Sequence, residues 1–215
     1  MNLLFKNKDK IHPQPKVPSL CYIKNVITNP NIIVGDYTYY DDICSGGEDF
    51  ENHVTHFYPH LGDKLIIGKF CSIAKGVEFV MNGANHPMDG ISAFPFGIFI
   101  EDKPTIPNDI IPYKGNTIIG NDVWIGQNVT IMPGVKVGDG CIIGANAVVA
   151  KDIPPYSIAV GNPARVVKKR FDDMTIERLL KLKWWDMPIE IIEKNFELLQ
   201  NKNIELFISK FENRI

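Results

Sequence analysis

Aliphatic residues recur at every sixth position along residues 117–150, and glycine follows most of them. The residues that begin the rows of six are Ile119, Ile125, Ile131, Val137, Ile143 and Val149. The fifth places of the same rows hold Val123, Val129, Val135, Cys141, Ala147 and Ile153. A weaker copy begins rows at Ile67 and Ile73 and has Cys71 and Val77 in the fifth places. Neither an amphipathic helix nor a strand with alternating burial produces a period of six.

This period is typical of a parallel β-helix, in which three short strands make one coil of about 18 residues. The aliphatic positions of successive coils would stack into columns that form the core, while Gly, Asn and Asp occupy corners that need a positive φ. Ordinary short strands between glycine turns are the alternative, and six rows in one register argue against them. The sequence therefore predicts a mainly β fold, built as a parallel β-helix.

The period fails between residues 80 and 116, although regular rows lie on both sides. We call this segment the arm. It contains the stretch VMNGANHPMDG, whose Asn, Gly, Pro and Asp residues favour turns, and the aromatic residues Phe94, Phe96 and Phe99. Long loops inside compact domains are usually functional or disordered. We predict that the arm is ordered and functional.

The pattern changes in the last fifth of the chain, where apolar residues three or four apart indicate helices. Asp172 or Asp173 can cap the first helix, and Pro188 suits the first turn of a second one. We therefore divide the chain into a β-helix domain, residues 1–170, and a C-terminal α-helical cap, residues 171–215.

Trp184 and Trp185 are expected to pack over the open end of the β-helix, because the last coil would otherwise expose its core and its strand edges. A role in the core is more common for such indoles than a role as a ligand platform. Near the start of the chain, Val34 and Gly35 resemble one further degenerate row. The tyrosine-rich segment after them is expected to lie in an irregular loop.

The composition is that of a globular protein, with 45% apolar and 22% charged residues among 215. Lys and Arg total 23 against 25 Asp and Glu, so no excess of charge would attract nucleic acid or an anionic membrane. No apolar run approaches the roughly 18 residues of a membrane span, and the first residues turn polar too early for a signal peptide. We expect a cytoplasmic protein whose partners include neither nucleic acid nor membrane. Four scattered cysteines are expected to be free thiols.

Three kinds of chemical site compete. His53, His56 and His60 could bind zinc, but their spacing suits a helix, which the nearby Pro and Gly residues disfavour. A cysteine nucleophile would have no basic neighbour in the sequence to activate its thiol. The third possibility is a histidine general base, since imidazole changes its charge near working pH, and His86 in the arm is the candidate.

Several stretches together resemble one family: YYD at 39–41, DKLIIGKFCSI, MNGANHPMDG, KGNTIIGNDVWIGQNVTIMPGVKVGDG, GNPARVVKKRF and WWDMPIEII. They resemble the xenobiotic acetyltransferases, a family of hexapeptide-repeat acyltransferases. Within that family they are most similar to the streptogramin A (virginiamycin) O-acetyltransferases, over roughly residues 20–200. Hexapeptide rows are shared by many acyltransferases, whereas their combination with MNGANHxMDG is specific. The resemblance implies that the parallel β-helix is left-handed.

The resemblance also implies a function. Acetyl-CoA would be the cosubstrate, no metal would be needed, and the acceptor would be a hydroxyl of an antibiotic, streptogramin A first, so that the enzyme confers resistance. His86 would be the catalytic base that removes the hydroxyl proton during direct attack on the thioester. A homotrimer is expected as well, because sites at subunit boundaries require a closed symmetric assembly.

Residues 91–112 depart from the streptogramin enzymes, because SAFPF is similar to the related chloramphenicol acetyltransferases and a Trp-containing segment is missing. Chloramphenicol or another small hydroxyl acceptor is therefore the alternative substrate. A non-catalytic solenoid would explain the rows but not the NGANH stretch, and a zinc enzyme is the last alternative.

The resemblance assigns further residues to the two substrates. Those assigned to acetyl-CoA are Trp124 beside the pantetheine arm, Gln127 and Ala145 as polar or backbone contacts, Lys151 near the tail, and Arg165 and Lys168 at the phosphates. Tyr39 and Tyr58 are assigned to the antibiotic pocket. For the basic cluster, which also includes Lys169 and Arg170, a solvated run of charges is the alternative. Because Trp124 lies between inward-facing aliphatic residues, its indole is expected to point outwards.

Overall fold

A computed structural model describes residues 7–101 and 111–212. The strands, in chain order, are β1 Leu20–Tyr22, β2 Ile32–Val34, β3 Tyr39–Asp41, β4 Val54–Thr55, β5 Leu65–Ile67, β6 Ser72–Ala74, β7 Glu78–Val80, β8 Thr117–Ile119, β9 Trp124–Ile125, β10 Thr130–Ile131, β11 Lys136–Val137, β12 Ile142–Ile143, β13 Val148–Val149, β14 Ser157–Val160 and β15 Arg165–Lys169. The α-helices are α1 Asp173–Leu182, α2 Ile189–Leu199 and α3 Glu205–Phe211. Residues 102–110 of the arm lie outside the described residues.

The strands form three sheets around one core. Sheet A contains β1, β3, β6, β9, β12, β14 and β15, sheet B contains β2, β5, β8 and β11, and sheet C contains β4, β7, β10 and β13. The chain visits sheets B, A and C in turn, so that three successive strands make one coil. Strands one coil apart pair in parallel, as β6 does with β9 and β9 with β12. This is the parallel β-helix that the six-residue period predicts.

The predicted inward columns are confirmed. Every row leader and every fifth-place residue is at most 5% exposed, and together they belong to a single hydrophobic cluster. Short polar residues turn the chain at the corners: Asp122, Asn128 and Asn146 have φ angles of 54°, 55° and 59°. Such side chains tolerate the left-handed region better than β-branched or bulky ones do.

Both ends of sheet A carry reversed strands. β1 pairs antiparallel with β3, and β15 pairs antiparallel with β14. Because β3 lies in the segment that was expected to be an irregular loop, that expectation is wrong. Tyr40 in β3 is fully buried, and its ring packs against Phe50 at a centroid distance of 5.5 Å. Tyr40 pairs with the row leader Ile73, so an aromatic side chain occupies the row-leader column in this coil.

The helical region packs along one corner of the β-helix. Asp172 caps α1, and its side chain accepts a hydrogen bond from the backbone N–H of the first turn. Trp184 packs against Phe70 at the corner between β5 and β6, with ring centroids 4.9 Å apart, and Trp185 is buried beside Tyr156. The indoles belong to the hydrophobic core, as predicted. Their predicted position over the open end is wrong, because β15 covers the last strand of sheet A.

No α-helix in residues 7–101 and 111–212 is both long and apolar enough to cross a membrane. All four cysteines are free thiols, as predicted. Burial raises the pKa of the Cys71 thiol to about 12 and that of Cys141 to about 11. These two thiols fill fifth places of the repeat and serve packing, because a buried thiol of such high pKa is a poor nucleophile.

Candidate active site

His86 projects from the first part of the arm, just after a 3-10 turn at Asn82–Ala84. Its Nδ1 atom lies 2.8 Å from the carbonyl oxygen of Ala93. A carbonyl oxygen only accepts hydrogen bonds, so Nδ1 carries the hydrogen and the neutral ring keeps its free lone pair on Nε2. Because the side chain is exposed, Nε2 can take a proton from a molecule beside it.

The cleft beside His86 has a volume of about 430 Å³, a size common among small-molecule sites. Its lining includes His56, Tyr58, Phe94, Phe96, Ile98 and Ile111. Phe94 packs edge-on against Phe96 and stacks on Phe99, with ring centroids 4.8 and 5.1 Å apart. The arm therefore supplies an imidazole and an apolar aromatic wall to the same cleft.

Trp124 lies on the outer face of sheet A, where its side chain is 56% exposed, as predicted. One row of paired residues crosses the sheet and consists of Tyr39, Ser72, Trp124, Ile142, Ile158 and Lys168. Tyr39, Trp124 and Lys168 are thus aligned across one sheet, a relationship that distance along the sequence does not reveal.

Gln127 and Ala145 occupy corresponding corners between sheets A and C in successive coils. The backbone N–H of Asn146 donates to the carbonyl oxygen of Gln127 at 2.8 Å, which links the two corners. Both Gln127 and Ala145 are exposed next to the strands that carry the Trp124 row. Lys151 is also exposed, but it follows β13 and lies at the corner between sheets C and B.

The basic cluster divides into two pairs. Arg170 packs into the fold: its Nη1 donates to the carbonyl oxygen of Gly140 at 2.7 Å, and its guanidinium lies over an aromatic ring. Lys169 forms an ion pair with a carboxylate of α1. Arg165 and Lys168 are exposed in β15, at the end of sheet A.

The candidate residues of one chain fall on different faces. His86 and Tyr58 line the same cleft at the arm, whereas Trp124 and Lys168 lie on sheet A. Tyr39 lines a separate cavity beside the helical region. A single chain therefore holds the candidate base apart from Trp124 and Lys168, whereas Lys151 lies at the corner between sheets C and B from which the arm also leaves.

The three histidines of the zinc hypothesis do not converge. The Nε2 atom of His53 lies 3.1 Å from the hydroxyl of Tyr40, His56 lines the cleft, and His60 stacks on Tyr58 with ring centroids 5.8 Å apart. Residues 7–101 and 111–212 contain no group of three or more His, Cys, Asp or Glu side chains arranged to hold a metal ion. The described part of the chain gives the zinc hypothesis no support.

Sequence reasoning missed two residues beneath the arm. Asp63 and Asn82 are fully buried, and the backbone and side-chain nitrogens of Asn82 donate to the same carboxylate oxygen of Asp63. The signal was present in the asparagines of NGANH, which we interpreted only as turn formers. Sequence gave no signal at all for the carbonyl of Ala93, since every residue has one.

Comparisons with known proteins identify the family of the chain. Residues 116–151 match the family model described as bacterial transferase hexapeptide (six repeats). A probable macrolide acetyltransferase of Lysinibacillus sphaericus is 55% identical over 170 residues, which cover 78% of this chain and 94% of the relative. The virginiamycin A acetyltransferase of Staphylococcus aureus is 51% identical over 196 residues, 89% of this chain and 87% of the relative. The chain belongs to the xenobiotic acetyltransferases.

A further member of this family, a chloramphenicol acetyltransferase of Agrobacterium fabrum, is 44% identical over 182 residues, 83% of this chain and 86% of the relative. Family membership makes the chain an acyltransferase. It also confirms that the parallel β-helix is the left-handed fold of hexapeptide-repeat enzymes. Xenobiotic acetyltransferases that are this similar carry names for three different acceptors, so the family alone does not select the substrate.

Proposed function

We propose that this xenobiotic acetyltransferase transfers the acetyl group of acetyl-CoA to a hydroxyl of an antibiotic, with streptogramin A of the virginiamycin M type as the first acceptor. Such transfer would confer resistance by blocking a hydroxyl that the drug needs. The observation that carries the proposal is the hydrogen bond from Nδ1 of His86 to Ala93, which leaves Nε2 as the proton acceptor beside an aromatic cleft.

His86 acts as a general base. Its Nε2 takes the proton from the acceptor hydroxyl while the hydroxyl oxygen forms a bond to the thioester carbonyl carbon. The resulting oxyanion collapses, the carbon–sulfur bond breaks, and the imidazolium returns the proton to the departing thiolate. No acetyl-enzyme forms. Base assistance of this kind contributes about 10²- to 10⁴-fold, and holding two substrates in line contributes further.

Acetyl-CoA is expected along sheet A, where it supplies the acetyl group as a thioester. Trp124 offers an exposed indole to the pantetheine arm, and the exposed corners at Gln127 and Ala145 offer backbone and amide groups. Arg165 and Lys168 provide charge-assisted hydrogen bonds for phosphates. Lys151 extends from the next corner toward the tail.

A homotrimer completes the site. His86 and Trp124 lie on different faces of one chain, so a neighbouring subunit must place its sheet A opposite the arm. Tyr58 of one subunit and Tyr39 of the next would then both face the acceptor. This arrangement predicts complementation: His86→Ala chains mixed with Trp124→Ala chains, unfolded and refolded together, should show more activity at low acetyl-CoA concentration than either variant alone. Absence of any restoration in mixed trimers would contradict shared sites.

The size and lining of the cleft support a large, mostly apolar acceptor, since rigid aromatic walls with few polar groups suit a lactone ring. The acetyltransferase with a macrolide in its name has the higher identity, 55%, and makes a macrolide the second candidate. Chloramphenicol is the third candidate, which the SAFPF stretch supports.

The test is release of free CoA thiol from acetyl-CoA with virginiamycin M, a macrolide or chloramphenicol as the acceptor. We expect rapid release with virginiamycin M, and a loss of about 10²- to 10⁴-fold in kcat for His86→Ala. The melting temperature should not change, because the exposed imidazole contributes little to the core. Release with chloramphenicol alone would overturn the streptogramin assignment, and full activity of His86→Ala would overturn the mechanism.

A further inference from the structure

The arm leaves the β-helix through residues 80–85, which we call the outgoing root, and comes back through residues 112–116, the returning root. Both roots form hydrogen bonds with one buried asparagine. Asn82, in the outgoing root, is fully buried. Its backbone N–H and its side-chain Nδ2 both donate to Oδ2 of Asp63, at 3.0 and 2.8 Å. Asp63 lies two residues before β5, the strand that begins the coil leading into the arm, and it is itself fully buried. The outgoing root is therefore anchored to the body of the β-helix by two hydrogen bonds to one oxygen of Asp63.

The same amide group reaches the returning root. Nδ2 of Asn82 donates its second hydrogen to the carbonyl oxygen of Gly115 at 2.8 Å, and Oδ1 accepts from the backbone N–H of Lys114 at 2.8 Å. Oδ1 also accepts from Nδ2 of Asn85 at 3.3 Å. Two donors and two acceptor positions are all that an asparagine amide has, and here all four are used.

Asn85 forms a second hydrogen-bonded link between the two roots. Its Nδ2 donates to the carbonyl oxygen of Pro112 at 2.8 Å, in addition to the bond with Asn82. Asn85 is the residue directly before His86, so this bond holds the backbone from which the imidazole projects. The ring of His86 is held on its other side by Ala93.

We infer that Asn82 and Asn85 are positioning residues that join the two roots of the arm and so keep His86 against the carbonyl of Ala93. The inference rests on the proposed role of His86 as the base. The amide of Asn82 has every hydrogen-bond position filled, so a residue that lacks one of these groups leaves buried polar partners unsatisfied. No other residue type reproduces it: aspartate has no donors, and glutamine is one methylene longer.

Steady-state kinetics give the first test. Asn85→Ala and Asn82→Asp should lower kcat by about 10²-fold, the cost of misplacing a catalytic group by a distance near 1 Å. The KM for acetyl-CoA should not change, because Trp124 and its row lie on another face. Asn116→Ala is the matched control: the Oδ1 of Asn116 accepts from the backbone of Lys64 in the same region, but it does not join the two roots. An equal loss for Asn116→Ala would mean general loosening and would overturn the inference.

The nitrogen-15 NMR signals of the His86 ring give a readout that is independent of activity. The parent protein should show hydrogen on Nδ1, and Asn85→Ala should show a mixture of tautomers, while Asn116→Ala keeps the parent signals. If Asn82→Asp does not fold, Asn85→Ala and the double variant Asp63→Asn/Asn82→Asp carry the test. The double variant restores one donor and acceptor pair and should recover part of kcat.

Parent-like ring signals together with parent-like kcat in Asn85→Ala would overturn the inference. Failure of the proposed function looks different, because His86→Ala would then keep its activity whatever the NMR signals of the asparagine variants show.

Discussion

A Cβ atom on Gly83 would lie 2.4 Å from a ring carbon of Tyr58 and 2.4 Å from the carbonyl oxygen of His56. The middle of NGANH thus passes so close to the wall of the cleft that a side chain does not fit without movement. Gly83 is needed for this close approach and not for its backbone conformation, because its φ angle is not in the left-handed region.

Gly83→Ala should push the arm away from Tyr58. Overpacking of this kind typically costs about 1–3 kcal/mol of stability, and the displaced His86 should lower kcat as well. The matched control is Gly90→Ala on the same arm, where the nearest atom to a new Cβ is 3.6 Å away. Chemical denaturation and thiol-release kinetics measure both effects. Equal behaviour of the two variants would contradict the close-approach argument.

Trp124→Ala should weaken acetyl-CoA binding without destabilising the fold. The indole is 56% exposed, so its removal leaves no cavity in the core. Loss of about 1.4 kcal/mol of contact would raise the KM for acetyl-CoA about tenfold. Ile33→Ala is the control, since Ile33 is 46% exposed on sheet B. The prediction fails if Ile33→Ala raises the KM as much, or if Trp124→Ala leaves it unchanged.

Asp122 should make stability depend on pH. Burial raises the pKa of its carboxyl from the ordinary 3.8 to about 6, although attraction to Arg170, 3.6 Å away, lowers it. Asp139 also faces the group and opposes its ionisation. Between about pH 6 and pH 4 the folded chain binds this proton more tightly than the unfolded chain, so this group adds stability as pH falls.

Asp122→Asn should therefore melt at a higher temperature than the parent protein at pH 8, and the difference should shrink toward pH 4. Melting curves across this range measure it, and Asp89→Asn, an exposed carboxyl of the arm, controls for the loss of one negative charge. A lower melting temperature of Asp122→Asn at pH 8 would mean that the attraction to Arg170 outweighs the cost of burial.

Two neighbours in β12 should respond differently to truncation. Ile143 is 1% exposed in the stacked core, so Ile143→Ala should cost about 2–5 kcal/mol of unfolding free energy. Ile142 lies on the outer face in the Trp124 row and is only partly buried, so Ile142→Ala should cost about 1 kcal/mol. Urea denaturation measures both. Similar losses for the two variants would contradict the assignment of faces.

The sequence predicted the features of the fold that follow from the six-residue repeat. The columns headed by Ile119 and Val123 recur in register, so the coils, their inward residues and the outward Trp124 followed from spacing alone. The strand at Tyr39–Asp41 was missed because its core residue, Tyr40, places an aromatic ring where the repeat otherwise has an aliphatic residue. The predicted position of Trp184 was wrong. The helical period shows which side chains are buried, but it does not show which part of the β-helix they pack against.

The candidate site was predictable only in part. His86 was identified through its motif, whereas its tautomer depends on a backbone carbonyl seven residues away. Asn82 gathers partners from Asp63 and from residues on the far side of the arm, and such contacts exist only once the chain has folded. Residues 102–110 of the arm lie outside the described residues, and the expectation that the arm is ordered and functional stays a prediction.

The exposed edge of a repetitive parallel sheet can pair with the same strand of another molecule, and fibres grow in this way. In sheet A the first and last strands, β1 and β15, run against the others, and β15 presents five exposed residues, three of them cationic. A further coil that approached either edge would meet a strand of the wrong direction. The two antiparallel strands therefore end sheet A on both sides, which disfavours the addition of further coils from other molecules.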